Sequence, residues 1–440
     1  MADIITQIRD AKRAALELAV AETSVKDRAL ELMADALDAH RDAILAANAE
    51  DMIAAEDMMA RGEITGSMVK RLKVDDDKIS GMIDGVRDVR GLDDPVGETM
   101  SSLELDDGLM LYQVRCPIGL IGTIFESRPD VVPQILALSL KSGNAVAFKG
   151  GSEAHNSIRV LFDVLTEAAA AAGIPREAFV LMESREDIAS ILSLDGFIDL
   201  LIPRGSNEFV SYIQNNTRIP VLGHASGICH VYVDAYADID LALAVALDSK
   251  IQYTAVCNAA ETLLVDAAIA DAFLPRMAAL FAENGVEMRV DERAAGILEG
   301  FAVVPAAEED WDAEYGDLVI AIKVVDSPEE AMDFINAHGS HHTDAIITAD
   351  RDRQAAFAKR VDSADVFINA STRFADGYRF GKGAEVGIST NKIHTRGPVG
   401  MEGLMIYKYI LVGTGQVVKD YVGRDARRFK HTPSDRDFGL

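Results

Sequence analysis

Thiols are the most reactive side chains in this sequence, and there are three of them: Cys116, Cys229 and Cys257. The number is odd, the spacings are wide and no CxxC occurs, so neither a zinc finger nor a disulfide framework is expected. Cys257 lies in Gln252-Tyr253-Thr254-Ala255-Val256-Cys257-Asn258-Ala259-Ala260-Glu261. The stretch before it has no clear periodicity, and β-prone residues 262–265 follow. A thiol in a loop can meet an electrophile and act as a nucleophile, although an isolated cysteine is more often a packing residue. Cys229 stands in an alternating strand pattern, 228–233, and Cys116 precedes Pro117. Both are expected to be structural. Cys229-His230 and His341-His342 are metal-binding types, but sequence neighbours do not easily converge on one ion, and no partner cluster has ligand spacing. No metal is expected.

Three segments are suited to holding anions. Lys149-Gly150-Gly151-Ser152 follows an apolar strand and opens a helix, where free backbone N–H groups and a lysine can meet a phosphate. Arg204-Gly205-Ser206-Asn207 repeats the arrangement after the next apolar strand, with Ser206 or Asn207 able to cap the helix. Each of these is equally readable as an ordinary strand-to-helix turn. Residues 380–390 form a glycine-rich polar loop, a kind of segment that is often functional in a compact enzyme and otherwise lies on the surface.

The elements that must position these groups alternate along the chain. The first sixty residues read as helices, with Ser24 and Asp27 at capping-box spacing ahead of an apolar-periodic stretch, 29–47. Asp75-Asp76-Asp77 reads as a solvated loop or helix start. Asp106-Asp107-Gly108 is a turn signal before a short strand, 109–114, and predicts a hairpin. Strands at 118–124, 145–148 and 197–202 alternate with helices at 129–141, 152–172 and 207–214. A second series has strands at 228–233, 261–265, 318–325, 345–347 and 366–368. Its helices are at 239–251, 267–283 and 328–337. Such alternation predicts parallel sheets built from βαβ units. Residues 404–412 are one further strand, before a charged end.

The chain has 440 residues, enough for two or three domains. Hydrophobic residues make up 49% and charged residues 26%, the balance of a soluble globular protein. No apolar run is long enough to span a bilayer, and the first residues lack the uninterrupted apolar stretch of a signal peptide, so the expected location is the cytoplasm. The net charge is −28, which opposes binding to nucleic acid or an anionic membrane. An anionic substrate and cofactor would then require a pocket that is basic against the field of the whole molecule.

Several blocks in order resemble the gamma-glutamyl phosphate reductases, a branch of the aldehyde dehydrogenase superfamily. They are CPIGLIGTIFESRP at 116–129, FKGGSEA at 148–154, IPRG at 202–205 and IPVLGH at 219–224. GICHVYVD at 227–234, VCNAAET at 256–262, FINASTRF at 367–374 and RGP at 396–398 follow. The resemblance implies an α/β, aldehyde dehydrogenase-like fold. Its parts would be a Rossmann-type NADPH-binding domain over 1–225, interrupted by the hairpin near 103–115, an α/β catalytic domain over 226–400, and an oligomerisation strand and tail over 401–440.

It also implies roles. Cys257 would be the nucleophile. Lys149 and Ser152 would meet the adenosine end of NADPH, where Glu153 could instead accept from a free 2′-hydroxyl. Gly205 and Ser206 would lie near the pyrophosphate, and Glu314 would hold the nicotinamide ribose. The loop that contains Ser389 and Thr390 would anchor the substrate. Two superfamily features are missing. Val221 occupies the place of the glutamate that activates water, and Glu126-Ser127-Arg128 replaces the segment whose asparagine steadies the oxyanion. Candidate donors are the Cys257 N–H, Asn258 and Arg128. The implied reaction is reduction of L-glutamyl 5-phosphate to the semialdehyde by a homo-oligomer, the second step of proline synthesis. The alternatives are an aldehyde dehydrogenase acting on another acyl donor, such as a coenzyme A thioester, and a non-catalytic family member.

Overall fold

The computed structural model describes residues 2–183, 190–223 and 226–439. The expected break at 225/226 and His224 of the 219–224 block involve residues 224–225, which lie outside the described residues.

Two parallel sheets carry the fold. The first has the strand order Phe179–Met182, Ala145–Gly150, Leu120–Phe125, Leu200–Arg204. Every residue of Leu120–Phe125 and Ala145–Gly150 is buried, as continuous apolar strands must be when both sheet faces are covered. Helices Thr23–Ala39, Arg41–Ala60, Val131–Lys141 and His155–Ala171 supply that cover. Phe148 meets Phe125 and Phe162 edge to face. Burying each ring contributes about 1.5–3 kcal/mol and fixes the carboxyl edge of the sheet.

The second sheet has seven strands. Their order is Val304–Pro305, Glu287–Val290, Val319–Val325, Ala260–Asp266, Cys229–Val233, Thr343–Ile347, Asp365–Ile368, with parallel pairing throughout. Its core includes residues from Val231 to Ile347, while Val386, Val399, Met401 and Leu404 pack into the core of the first sheet. The returning chain thereby ties the two cores together. A third, antiparallel sheet runs Met405–Val412, Leu109–Pro117, Thr99–Asp106, Thr432–Ser434. The predicted hairpin is its centre, turning at Gly108 with φ +70°. Among the described residues no helix is long and apolar enough to cross a membrane.

The sequence reading erred at some elements. The apolar stretch 29–47 is not one helix. Thr23–Ala39 ends at His40, whose φ of −110° and ψ of 19° leave the helical region, and Arg41–Ala60 begins anew. Phe179–Met182, Glu287–Val290, the helix Arg351–Arg360 and the end strand Thr432–Ser434 were not foreseen. The run Asp75-Asp76-Asp77 proves to be a helix start, with the Asp75 carboxylate accepting from Lys78 N–H at 3.0 Å.

Candidate active site

The carboxyl edge of the first sheet faces the amino edge of the second. Glu126, Ser127 and Arg128 follow the strand Leu120–Phe125, and Gly205 and Ser206 follow Leu200–Arg204. Cys257 and Asn258 occupy a turn just before Ala260–Asp266. A cavity of about 450 Å³ lies between them. It brings together the predicted Arg128, Gly205, Ser206, Cys257, Asn258 and Glu314. In open α/β sheets ligands gather at the carboxyl ends of strands, and this cavity is built there.

Burial pushes the Cys257 thiol up to about 12; Glu385 and Glu314 act in the same direction, while Arg204 pulls it down. Against the turn packs Gly227, where a Cβ would stand 2.2 Å from the Cys257 carbonyl oxygen. Only glycine lets the two backbones approach so closely. Cys229 lies behind the same turn, its S–H donating to the Cys257 carbonyl at 3.2 Å. Cys257 Sγ is itself 3.1 Å from His342 Nε2. His341-His342 had been considered only as metal ligands. Among the described residues no group of three or more His, Cys, Asp or Glu is placed to hold an ion.

Four arginines line the cavity, Arg71, Arg128, Arg204 and Arg373, together with the carboxylate residues Glu126, Glu314, Asp376 and Glu385. Burial lowers the Arg204 pKa, and the nearby Arg128 charge lowers it further. Burial, with Arg379 beside it, lowers that of Arg373. Cations held this closely in a shielded site favour an anion between them. Glu385 offsets part of this charge, 3.7 Å from Arg204 Nη2, and also accepts from Gly377 N–H at 3.0 Å. Arg204 belongs to a segment read from the sequence as suited to anions, whereas Arg373 stands in a family block with no role assigned to it.

Some predicted residues are engaged elsewhere. Asn258 Nδ2 donates to the Ala375 carbonyl at 2.7 Å, so this amide ties the Cys257 turn to the 372–376 segment. Ser389 is buried in the short strand Gly387–Ser389 and Thr390 follows it. Gly387 and Ile388, not these two, line the cavity. Val221 packs against the first core, its carbonyl accepting from Asn391 Nδ2 at 2.8 Å. The Glu126 carboxylate accepts from Ser206 N–H at 3.2 Å, at the start of helix Asn207–Asn215.

A second cavity, of about 300 Å³, opens at the end of Ala145–Gly150 and is lined by Lys149, Gly150, Gly151, Ser152, Glu153 and neighbours. A Cβ on Gly150 would stand 2.2 Å from Ile158, and one on Gly151 2.1 Å from the Glu153 carboxylate. Lys149 Nζ donates to the Gly150 carbonyl at 2.9 Å. A lysine, a hydroxyl and a helix start at the edge of a parallel sheet fit the phosphorylated ribose of a dinucleotide. Glu153 lines the same cavity with its carboxylate already engaged. Its Oε1 accepts from Ser127 N–H at 2.6 Å and from Ser127 Oγ at 2.7 Å. That bond holds Ser127 at φ +49°, a left-handed backbone rare outside glycine, beside Arg128.

Comparison with known proteins agrees with this architecture. Residues 1–295 match the model of the aldehyde dehydrogenase family. The chain is similar to the gamma-glutamyl phosphate reductase of Methanosarcina barkeri, at 60% identity over 99% of this chain and 98% of the relative. With that of Natronomonas pharaonis the identity is 54%, over 97% of each chain. The crystal structure of gamma-glutamyl phosphate reductase from Thermotoga maritima superposes with a TM-score of 0.90, at 40% identity, covering 94% of this chain and 99% of that one. The chain therefore belongs to the gamma-glutamyl phosphate reductase family, within the nicotinamide-dependent aldehyde dehydrogenases.

Proposed function

We propose that this chain reduces L-glutamyl 5-phosphate to L-glutamate 5-semialdehyde and phosphate with NADPH, in the cytoplasm, as the second step of proline biosynthesis. The observation that carries the reading is a thiol in a cavity lined by four arginines, in a molecule whose net charge is −28. A substrate with a phosphate at one end and an α-carboxylate at the other needs such cations. Arg128, Arg204 and Arg373 would share those anions through charge-assisted hydrogen bonds.

Cys257 attacks the γ-carbonyl carbon, phosphate leaves, and the acyl group remains as a thioester on sulfur. Bound in the groove, the reduced nicotinamide supplies the hydride. Cys257 then releases the aldehyde as the thiohemiacetal collapses. The thioester holds the acyl group in place for that transfer. The Cys257 N–H and Arg128 are the donors aimed at the carbonyl oxygen, since the Asn258 amide is bonded to Ala375. Gly205 and Ser206 lie along the pyrophosphate and Glu314 at the nicotinamide ribose.

NADPH is favoured because Lys149 and Ser152 line the second cavity while the Glu153 carboxylate is bonded to Ser127. The enzyme works as a homo-oligomer through the exposed edge strand Met405–Val412 and binds no nucleic acid. The test is NADPH oxidation with freshly prepared glutamyl phosphate against a panel of acyl-coenzyme A thioesters. Turnover of glutamyl phosphate alone is expected. Preference for a thioester would replace this reading with an acylating dehydrogenase.

A further inference from the structure

We propose that His342 is the proton acceptor and donor for Cys257, and that Thr343 holds its ring in the orientation this requires. The proposal rests on the reading of Cys257 as nucleophile. His342 is fully buried, with Nε2 3.1 Å from Cys257 Sγ and Nδ1 2.7 Å from Thr343 Oγ1. Thr343 and Asp365 are register partners on adjacent parallel strands. When Nδ1–H donates to the Thr343 hydroxyl, Nε2 is left as the acceptor for the thiol.

The backbone around His342 is built for this placement. His341 has φ +60°, a left-handed conformation that non-glycine residues adopt rarely, and such strain gathers at functional sites. The turn is pinned by Ala364 N–H to the His341 carbonyl at 2.9 Å and Asp365 N–H to the His342 carbonyl at 3.0 Å. A thiol shifted as far up as Cys257 needs a base at hydrogen-bond distance.

The proton balance closes. The S–H proton passes to Nε2 as the bond from sulfur to the γ-carbonyl carbon forms. The carbon–oxygen bond to phosphate breaks, and the imidazolium returns that proton to the departing oxygen. Hydrogen phosphate leaves and His342 is neutral again. After hydride has reached the thioester carbon, the carbon–sulfur bond breaks with its electrons on sulfur. His342, protonated from solvent, returns one proton to the thiolate. Each turnover consumes the single solvent proton that the overall reduction requires.

The charged and titratable groups facing this relay are Glu314, Glu385, Arg204, Arg373 and Cys229 around the thiol, and Lys382, Arg396 and Glu385 around Asp365. The test is the pH dependence of Cys257 alkylation by iodoacetamide in the full-length protein, alongside kcat. In wild type the alkylation rate is expected to rise through the imidazole range, near pH ~6.5, and then level off. In His342→Gln the rise should move into the alkaline range, with kcat down about 10²–10⁴-fold. Glu385→Gln should keep the imidazole-range rise. Thr343→Val should displace the profile and Thr343→Ser restore it, a distinction that a purely structural role would not make. This pair stands if His342→Gln fails to fold. Profiles of His342→Gln, or of Thr343→Val should that protein be lost, that coincide with wild type would overturn the proposal. A histidine-dependent profile in a protein that does not reduce glutamyl phosphate would overturn the proposed substrate and leave the relay standing.

Discussion

At the scale of single residues the chemistry centres on Cys257. Replacing it with alanine is expected to abolish reduction. Cys116→Ala and Cys229→Ala should retain turnover, because neither thiol lines the cavity. Cys229 contributes only an S–H bond to the Cys257 carbonyl, so its loss should cost less than about tenfold in kcat. Stoichiometric alkylation followed by peptide mapping identifies the reactive thiol, and full turnover by Cys257→Ala would remove the thioester from the mechanism. Lys149 carries a separate expectation. Losing a charge-assisted bond to a 2′-phosphate costs about 1.5–3 kcal/mol, so Lys149→Ala should lower kcat/KM for NADPH about 10–100-fold and leave NADH almost unchanged. Steady-state kinetics with both cofactors decides it, and an equal loss with both would place Lys149 away from the ribose phosphate.

Among the elements, the strand Met405–Val412 exposes Ile406, Tyr407, Tyr409, Leu411 and Val412. It is the outer strand of the antiparallel sheet, and Tyr409 and Leu411 are 63% and 56% exposed. Tyr407 and Tyr409 meet edge to face, with ring centroids 5.6 Å apart. An uncovered apolar edge strand is a template for pairing with another chain. Tyr409→Lys is therefore expected to lower the mass measured by light scattering toward a single chain, while the cavity around Cys257 is untouched. A wild-type protein that already runs as a single chain would refute the edge as an assembly surface.

Most helices and strands were legible because their signal is local. The runs 239–251 and 267–283 emerge as Ile239–Ile251 and Ala267–Glu283. Phe179–Met182 and Glu287–Val290 escaped notice because each has four residues, too few to establish a period. The division at His40 was missed because the apolar period continues across it while the backbone does not.

For the molecule as a whole, the decisive property is a cluster of arginines at one cavity of an acidic protein. Run backwards, oxidising the semialdehyde with NADP, the enzyme should require inorganic phosphate and release little glutamate. Water attacks a thioester efficiently only with a general base, an assistance worth about 10²–10⁴-fold. Val221 offers none, Glu385 is ion-paired with Arg204 and bonded to Gly377 N–H, and His342 Nε2 is directed at Cys257 Sγ. Phosphate arrives as an anion, and the arginines of the cavity gather it. Following NADPH formation with and without phosphate, together with glutamate release, checks this. Rapid phosphate-independent glutamate would identify Glu314, Glu385 or His342 as a water-activating base.

The sequence by itself determined the α/β alternation, the hairpin and the family, because each is written in contiguous residues. A period, a turn dipeptide or a block such as VCNAAET needs no knowledge of distant segments. The tertiary structure decided which side chains meet. His342 reaches a thiol 85 residues away, Arg204 and Arg373 line its cavity from separate elements, and Glu153 accepts from Ser127. Ser389 lies buried while Gly387 and Ile388 face the cavity. Such contacts depend on how the two sheets stand edge to edge, and no spacing along the chain encodes that distance.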